Sequence, residues 1–401
     1  MKLESESKTM NFIEKTFTLD KIYLARTALL VTLFFSVMQW TTWLPLRFWG
    51  VWGGGNFIDS WQVLRFAECY RVFGDSIYSP DSNCPGIIYG RPLLQILNVL
   101  GVGPEATQVI GFIFLMLISL FFSWILLLTR KEIKWYLILV IVISPPILLL
   151  VERANFDILI FCLLTLSCLQ FIKNRKAITY LLLALTILFK YYTAPILLLL
   201  ICLDRKIMTK VLGLCILFIS SASVIHDIQI TSTPFPDGAE AKFGATVWSK
   251  YRDLSDREWY SSTFALLINL SFFIMSLILI IFLRRLKMEN VFVEKMPLSY
   301  KREILILVFG ATHITCFFAG TSFDYRLIYL VSAVLLMTTT PFVSRTLTSM
   351  QVSILICILF LSYPSGGLQP LGDLLIQLQT IMLTIACYKI FIRIKNQAHL
   401  S

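Results

Sequence analysis

Long apolar runs, each closed by a short cluster of charged residues, set the pattern of this chain from about residue 22 to its end. Runs at 22–44, 106–129, 134–151, 156–172, 207–225, 263–283, 304–319, 327–343, 350–363 and 371–391 predict helices. Each is much longer than the apolar run of a buried strand, which is about 4–8 residues. About 20 apolar residues suffice to cross a bilayer, so these runs read as membrane spans. The stretch 178–203 differs. Lys190 interrupts it near its centre and is followed by Tyr191, Tyr192 and Pro195. A charge at mid-bilayer costs about 2.5–3.5 kcal/mol on insertion scales. The pattern therefore predicts two half-helices, 178–189 and 194–203, meeting near Lys190, an arrangement tolerated where broken helices line a cavity.

The basic residues between runs give an orientation. With the N-terminus inside and 178–203 as a re-entrant hairpin, most of the 35 Lys and Arg residues fall on the cytoplasmic side, as the positive-inside rule requires. A single crossing by 178–203 would instead put Arg284, Arg285 and Lys287 outside. This topology predicts two long outer loops, 45–105 and 226–262. In the first, Val63, Phe66, Tyr70 and Phe73 share one helical face, opposite Arg65, Glu68 and Arg71. That spacing predicts an amphipathic helix lying in the membrane interface. No internal repeat or linker divides the chain. The expected fold is all-α: a polytopic bundle of about 10–12 membrane helices, including the broken pair, forming a single domain over residues 1–401.

Composition agrees with this picture. The chain is 57% hydrophobic and 15% charged, with a mean hydropathy of +0.77, whereas soluble domains carry about 25% charged residues. A net charge of +11 would suit nucleic acid, but the cations sit in short loops where they orient a membrane protein, so no nucleic-acid partner is expected. The first 20 residues are polar and no small-residue cleavage site follows the first run. That run is expected to be an anchor rather than a cleaved signal.

Five groups of polar residues break the apolar pattern, and the topology puts all of them on the outer side. Asp59 opens the amphipathic helix. Glu152, Arg153, Asn155 and Asp157 occupy a tight turn; Lys190, Tyr191 and Tyr192 cap the hairpin. His226 and Asp227 open the second long loop, and Asp324, Tyr325 and Arg326 form another turn. Each has a simpler reading. Glu152 and Arg153 would serve as interfacial anchors, Arg326 would pair with Asp324, and Asp59 is one of several acids in its loop. The joint pattern says more. Arg153, Lys190 and Arg326 together make a receptor for an anionic headgroup, arginine gripping phosphate bidentately and lysine acting as a point charge. A nearby carboxylate supplies a general base toward a hydroxyl. These are the parts needed to displace a phosphate from a sugar's anomeric carbon.

Three stretches then resemble a known family. "NFIDSWQVLRFAECYRVFGDSIYSP" followed by "IIYGRPLLQIL" is similar to the first outer loop of the C-type (GT-C) glycosyltransferases that use polyprenol-phosphate-mannose, glycosyltransferase family 87. "ERANFDILIFCLLTLSCLQFIKNRKAITYLLLALTILFKYYTAPILLLL" resembles that family's central signature, and "GTSFDYRLIYLVSAVLL" resembles a late outer turn leading into a span. The resemblance implies a hexosyltransferase that moves a sugar such as mannose, with inversion, from a polyprenyl-phosphate-sugar donor to a glycolipid or glycan acceptor. It implies Asp59 as the catalytic base and Arg153, Asn155, Lys190, Tyr191 and Arg326 as donor phosphate or sugar contacts. Tyr89, Arg91, His226 and Asp324 are the candidate acceptor contacts. Arg91 falls in "YGRPLL", where the family more often has a second proline or small residue, which points to a role particular to this chain's acceptor. The expected location is a bacterial inner membrane with the site facing the periplasm.

The remaining chemistry is sparse. Gly53, Gly54 and Gly55 lack the Lys-Ser/Thr and helix of a phosphate loop. The three histidines, His226, His313 and His399, have no ligand spacing. No cofactor is required, and a divalent metal shared by Asp59 and other acids stays open. Of nine cysteines, Cys69 and Cys84 share the first outer loop, where an oxidising compartment would permit a disulfide. Two rival readings remain: a polymerase or ligase acting on lipid-linked oligosaccharide, and a transporter or flippase for a lipid-linked sugar.

Overall fold

A computed structural model describes residues 57–74, 84, 90–129, 140–141, 143–230, 242–243, 300–318, 322–338, 354–361 and 369–400. The expected spans 22–44 and 263–283 and most of the second outer loop lie outside these residues. Among the described residues the chain is all-helical, with twelve helices, apart from a two-residue antiparallel pairing of Lys242–Phe243 with Ser322–Phe323. The helices are α1 Ile58–Phe73, α2 Arg91–Val99, α3 Thr107–Thr129, α4 Pro145–Arg153, α5 Asp157–Ile172 and α6 Lys176–Phe189. They continue as α7 Ala194–Leu203, α8 Ile207–Ile230, α9 Tyr300–Phe318, α10 Ile328–Thr338, α11 over 354–361 and α12 Gln369–Leu400. Among the described residues two segments, Pro104–Phe121 and Leu374–Asn396, are long and apolar enough to cross a membrane.

The break at Lys190 falls where the charge pattern puts it. Helix α6 ends at Phe189, Lys190 takes an extended conformation (φ −152°, ψ 120°), and Tyr191–Thr193 forms a single 3-10 turn leading into α7. Pro195 sits in the first turn of α7, where its missing N–H costs nothing. Three boundaries differ from the expectation. The run 134–151 is not one continuous helix: Ser144, Pro145 and Pro146 start a new one, α4, because paired prolines cannot sit inside a helix but fit its first turn. Helix α8 continues to Ile230, so the first residues of the expected second outer loop are helical. Helix α12 spans 32 residues and overruns the expected 371–391 at both ends.

Helix α1 forms where the alternation of charged and apolar faces predicts it, and neighbouring helices cover part of its apolar face. Val63, Leu64, Phe66 and Ala67 are buried, and α1 packs against α2, α3 and α4. Arg65 pairs with Glu68 on the outer face, and Phe73 is exposed rather than part of the buried stripe.

The core is continuous from α3 through α5, α9 and α10. Phe161 stacks on Phe309 and meets Phe121 edge-on, which locks three helices by their aromatic rings. A Cβ on Gly310 would lie 2.4 Å from the Cys387 sulfur, so α9 and α12 pack in close contact there. Helices α5, α6 and α7 run antiparallel in succession and set the axis of the site. One end of this trio carries Asp157, Lys190 and Ala194, the other Ile172, Lys176 and Leu203.

Candidate active site

The turn between α4 and α5 organises the site. Ala154 closes α4 in a left-handed conformation (φ 45°) and Phe57, the residue before α1, is left-handed too (φ 63°). Neither is glycine, and such backbone costs of order 1–3 kcal/mol and persists only where the surroundings impose it. The surroundings do so here: the Phe57 N–H donates to the Glu152 carbonyl at 2.7 Å, and the Ser60 hydroxyl donates to the Ala154 carbonyl. The start of α1 is thus clamped onto the turn that precedes α5, and Asp59 is carried to it.

Asp59 receives two side-chain hydrogen bonds. Arg153 Nη1 lies 3.0 Å from Oδ1, and Asn155 Nδ2 donates to Oδ2 at 2.6 Å. Asn155 is oriented in turn, its Oδ1 accepting the Asp157 backbone N–H at 2.8 Å. The Asp59 side chain is only 9% exposed. Burial raises its proton affinity above the usual carboxylate range, and Arg153 and Asn155 pull it back in part. A carboxylate has about four acceptor positions, so two bonds leave room for a hydroxyl proton. Next to it, burial pushes Glu152 up to about 7, opposed by Arg153 and reinforced by Asp59.

Two residues beyond Asn155, Asp157 is the hub of a second network. Its side chain is 1% exposed. Lys190 Nζ lies 2.8 Å from Oδ1, Arg326 Nε lies 3.0 Å from Oδ2, and the Tyr192 hydroxyl donates to Oδ1 at 3.0 Å. Tyr192 also shares a hydrogen bond with the Tyr329 hydroxyl at 3.1 Å, and the Arg326 guanidinium lies 5.0 Å from the Tyr192 ring centre. Three side chains, from the break at 190–192 and from the turn before α10, thus meet on one buried carboxylate at the start of α5. A buried ion pair holds only when its remaining lone pairs and protons are satisfied, and the tyrosines do that here.

Asp59, Arg153, Asn155, Lys190 and Arg326, distant in sequence, are thus brought together. Tyr191 is not: it is 40% exposed, and the tyrosine that enters the network is its neighbour Tyr192. The turn geometry explains this, because the single 3-10 turn after Lys190 directs residue 192, not 191, back to α5. Arg91 stands at the first position of α2, beside Gly90, whose N–H donates to the Phe189 carbonyl at 3.1 Å; the loop before α2 is therefore tied to the Lys190 break. Tyr89 and the side chains of His226 and Asp324 lie outside the described residues. Sequence reasoning counted Asp157 among the polar residues of its turn without making it a site residue, and it missed Tyr329 and Ser60. For Tyr329 a signal existed: it follows Arg326 by three residues, so the two share a helical face. Among the described residues no group of three or more His, Cys, Asp and Glu could hold a metal ion.

Cys69 of α1 is bonded to Cys84, with their Cα atoms 6.2 Å apart. No protein-family model, characterised protein or solved structure matches the chain.

Proposed function

We propose that the chain is an integral membrane glycosyltransferase that moves a hexose from a polyprenyl-phosphate-sugar donor to a lipid-linked or glycan acceptor. The reading rests on one observation above all: the buried carboxylate Asp59, bonded to Arg153, is joined through Asn155 to the Asp157 network that holds Lys190 and Arg326. In the reaction, Asp59 takes the proton of the acceptor hydroxyl. The hydroxyl oxygen forms the glycosidic bond by attacking the anomeric carbon from the face opposite the phosphate, which inverts that centre. The bond between that carbon and the phosphate oxygen breaks, and the polyprenyl phosphate leaves with the electron pair. Lys190 and Arg326 stabilise the charge that develops on it, as fixed cations do best in a dry site. Raised proton affinity suits Asp59 to the task, since a general base works best with its pKa drawn toward the working pH.

Two further observations support the membrane part. Val109, Phe112, Ile113, Met116 and Leu120 form a stripe on α3 and are 46–62% exposed. Ile207, Met208, Val211, Phe218 and Ile219 do the same on α8. Water-soluble monomers seldom leave such surface uncovered, whereas lipid covers it at no cost. The Cys69–Cys84 bond suits an oxidising compartment, which agrees with α1 and the site facing outward. The likeness of three stretches to the polyprenol-phosphate-mannose-dependent family supports the donor class.

The test is transfer from a radiolabelled polyprenyl-phosphate sugar to candidate acceptor lipids by purified protein, with Asp59→Asn beside it. The expected outcome is a labelled product whose formation drops at least about a hundredfold in the variant, the usual scale of a general base. Transfer at the wild-type rate by Asp59→Asn would remove the base. Movement of the donor across liposomes with no new glycosidic bond would favour a transporter.

A further inference from the structure

A cavity of about 550 Å³ lies at the opposite end of the α5–α6–α7 trio. Helix α5 has 16 residues, which at 1.5 Å each puts the cavity about 24 Å from Asp157 along the helix axis. Lys176, Arg205 and Lys206 line it, with Asp204 as the one carboxylate. That carboxylate is already held by neutral donors: the Tyr180 hydroxyl at 2.6 Å on Oδ2 and the Lys206 backbone N–H at 3.2 Å on Oδ1. Lys176 is fixed in place, its Nζ donating to the Phe171 carbonyl at 3.0 Å.

The backbone adds to the positive field. Helices α6, α8 and α9 begin at Lys176, Ile207 and Tyr300, and Lys176, Lys206 and Tyr300 all line the cavity. Residues at or next to the start of three helices therefore line one hollow. Each helix start carries roughly half a positive charge and first-turn N–H groups without intrahelical partners, the arrangement that binds phosphate elsewhere. Phe171, Leu203 and Ile394 supply apolar wall.

We propose that this cavity is an anion site for a phosphate group, separate from the candidate active site and independent of the activity assigned there. Arg205 and Lys206 grip the phosphate oxygens from the exposed rim, Lys176 meets them from the wall, and the helix starts lie alongside. The apolar wall accommodates an acyl chain, so the phosphate reaches the cavity either as a lipid headgroup or free in solution. Orientation of a membrane protein by basic loops accounts for cations at this end, but not for a cavity that gathers three of them with three helix starts.

Calorimetric titration of the full chain in an uncharged detergent, at constant ionic strength, tests this with two probes: dihexanoyl phosphatidic acid and inorganic phosphate. Saturable binding of one equivalent is expected for at least one probe. The double variant Arg205→Ala/Lys206→Ala should weaken it at least roughly tenfold, as expected for losing two charge-assisted contacts. The control Lys173→Ala/Arg175→Ala removes two exposed cations of the α5–α6 connection that do not line the cavity, and should change affinity less than about twofold. The conservative pair Arg205→Lys/Lys206→Arg should retain binding. Binding of phosphatidic acid alone assigns the site to a lipid headgroup; binding of inorganic phosphate with equal strength assigns it to a soluble ligand. Absence of saturable binding by both probes overturns the proposal, and so does an equal loss in the control variant.

Discussion

Glu152 and Asp59 are two carboxyl groups outside the apolar runs whose protons are held more tightly than usual, both because burial disfavours the charge. For Glu152 the folded value of about 7 lies above the ordinary 4.5, so folding takes up a proton between these pH values. Its contribution to stability is full below the ordinary value and is lost as pH rises through about 7. Glu152→Gln, which mimics the protonated form, should therefore flatten the fall in melting temperature between pH 5.5 and pH 8, measured on protein in detergent. An unchanged pH profile in the variant would contradict the assignment. Ala154 gives a prediction of opposite character. Its left-handed backbone is one that glycine adopts without strain, so Ala154→Gly should leave stability equal or raise it by up to about 1 kcal/mol. Unfolding in urea reads the difference.

At the scale of elements, the charge pattern located the hairpin break and the amphipathic helix because a lysine inside an apolar run and a two-faced heptad are local signals. Which partner each charge finds was not local. Asp157 opens an apolar helix, and an acid in a first turn satisfies the helix dipole by itself; nothing in its neighbourhood announces that Lys190 and Arg326 both end on it. The apolar face of α1 was legible, but its burial under α2 and α3 depends on tertiary packing. Two substitutions probe these joins. Asp157→Ala leaves two buried cations without their anion and should cost about 3–5 kcal/mol, whereas Tyr192→Phe removes the two hydrogen bonds of that hydroxyl and should cost about 1–2 kcal/mol. Comparable losses in thermal unfolding would mean that Asp157 is not the hub. Gly90→Ala would place a Cβ 2.1 Å from the Leu188 carbonyl oxygen. That atom is backbone and cannot step aside, so the Gly90–Phe189 bond should open at a cost of about 1–3 kcal/mol, which thermal unfolding reads.

Across the described residues, the period and length of the apolar runs were enough for most helices and their order, the run 134–151 excepted, since a helix records its own length in the sequence. Pairing of helices was not, and neither was the covalent bond between Cys69 and Cys84, because two cysteines in one loop are compatible with free thiols as well. Mass analysis of the peptide spanning both, with and without reductant, should find the pair two hydrogens lighter before reduction. Recovery of two free thiols from protein made in an oxidising compartment would contradict it.

The arrangement around Asp157 has an electrical consequence. Arg153, Lys190 and Arg326 face Asp59 and Asp157, so one unit of positive charge is left over while Glu152 keeps its proton. In the proposed reaction, a sugar phosphodiester brings one negative charge and renders the assembly neutral. When the sugar departs, the phosphate acquires a second negative charge as Asp59 loses its own to the incoming proton, so the total inside the protein is the same before and after. No charge need cross the boundary with solvent during the chemical step. The debt comes due only afterwards, when the dianionic product and the proton held on Asp59 must leave.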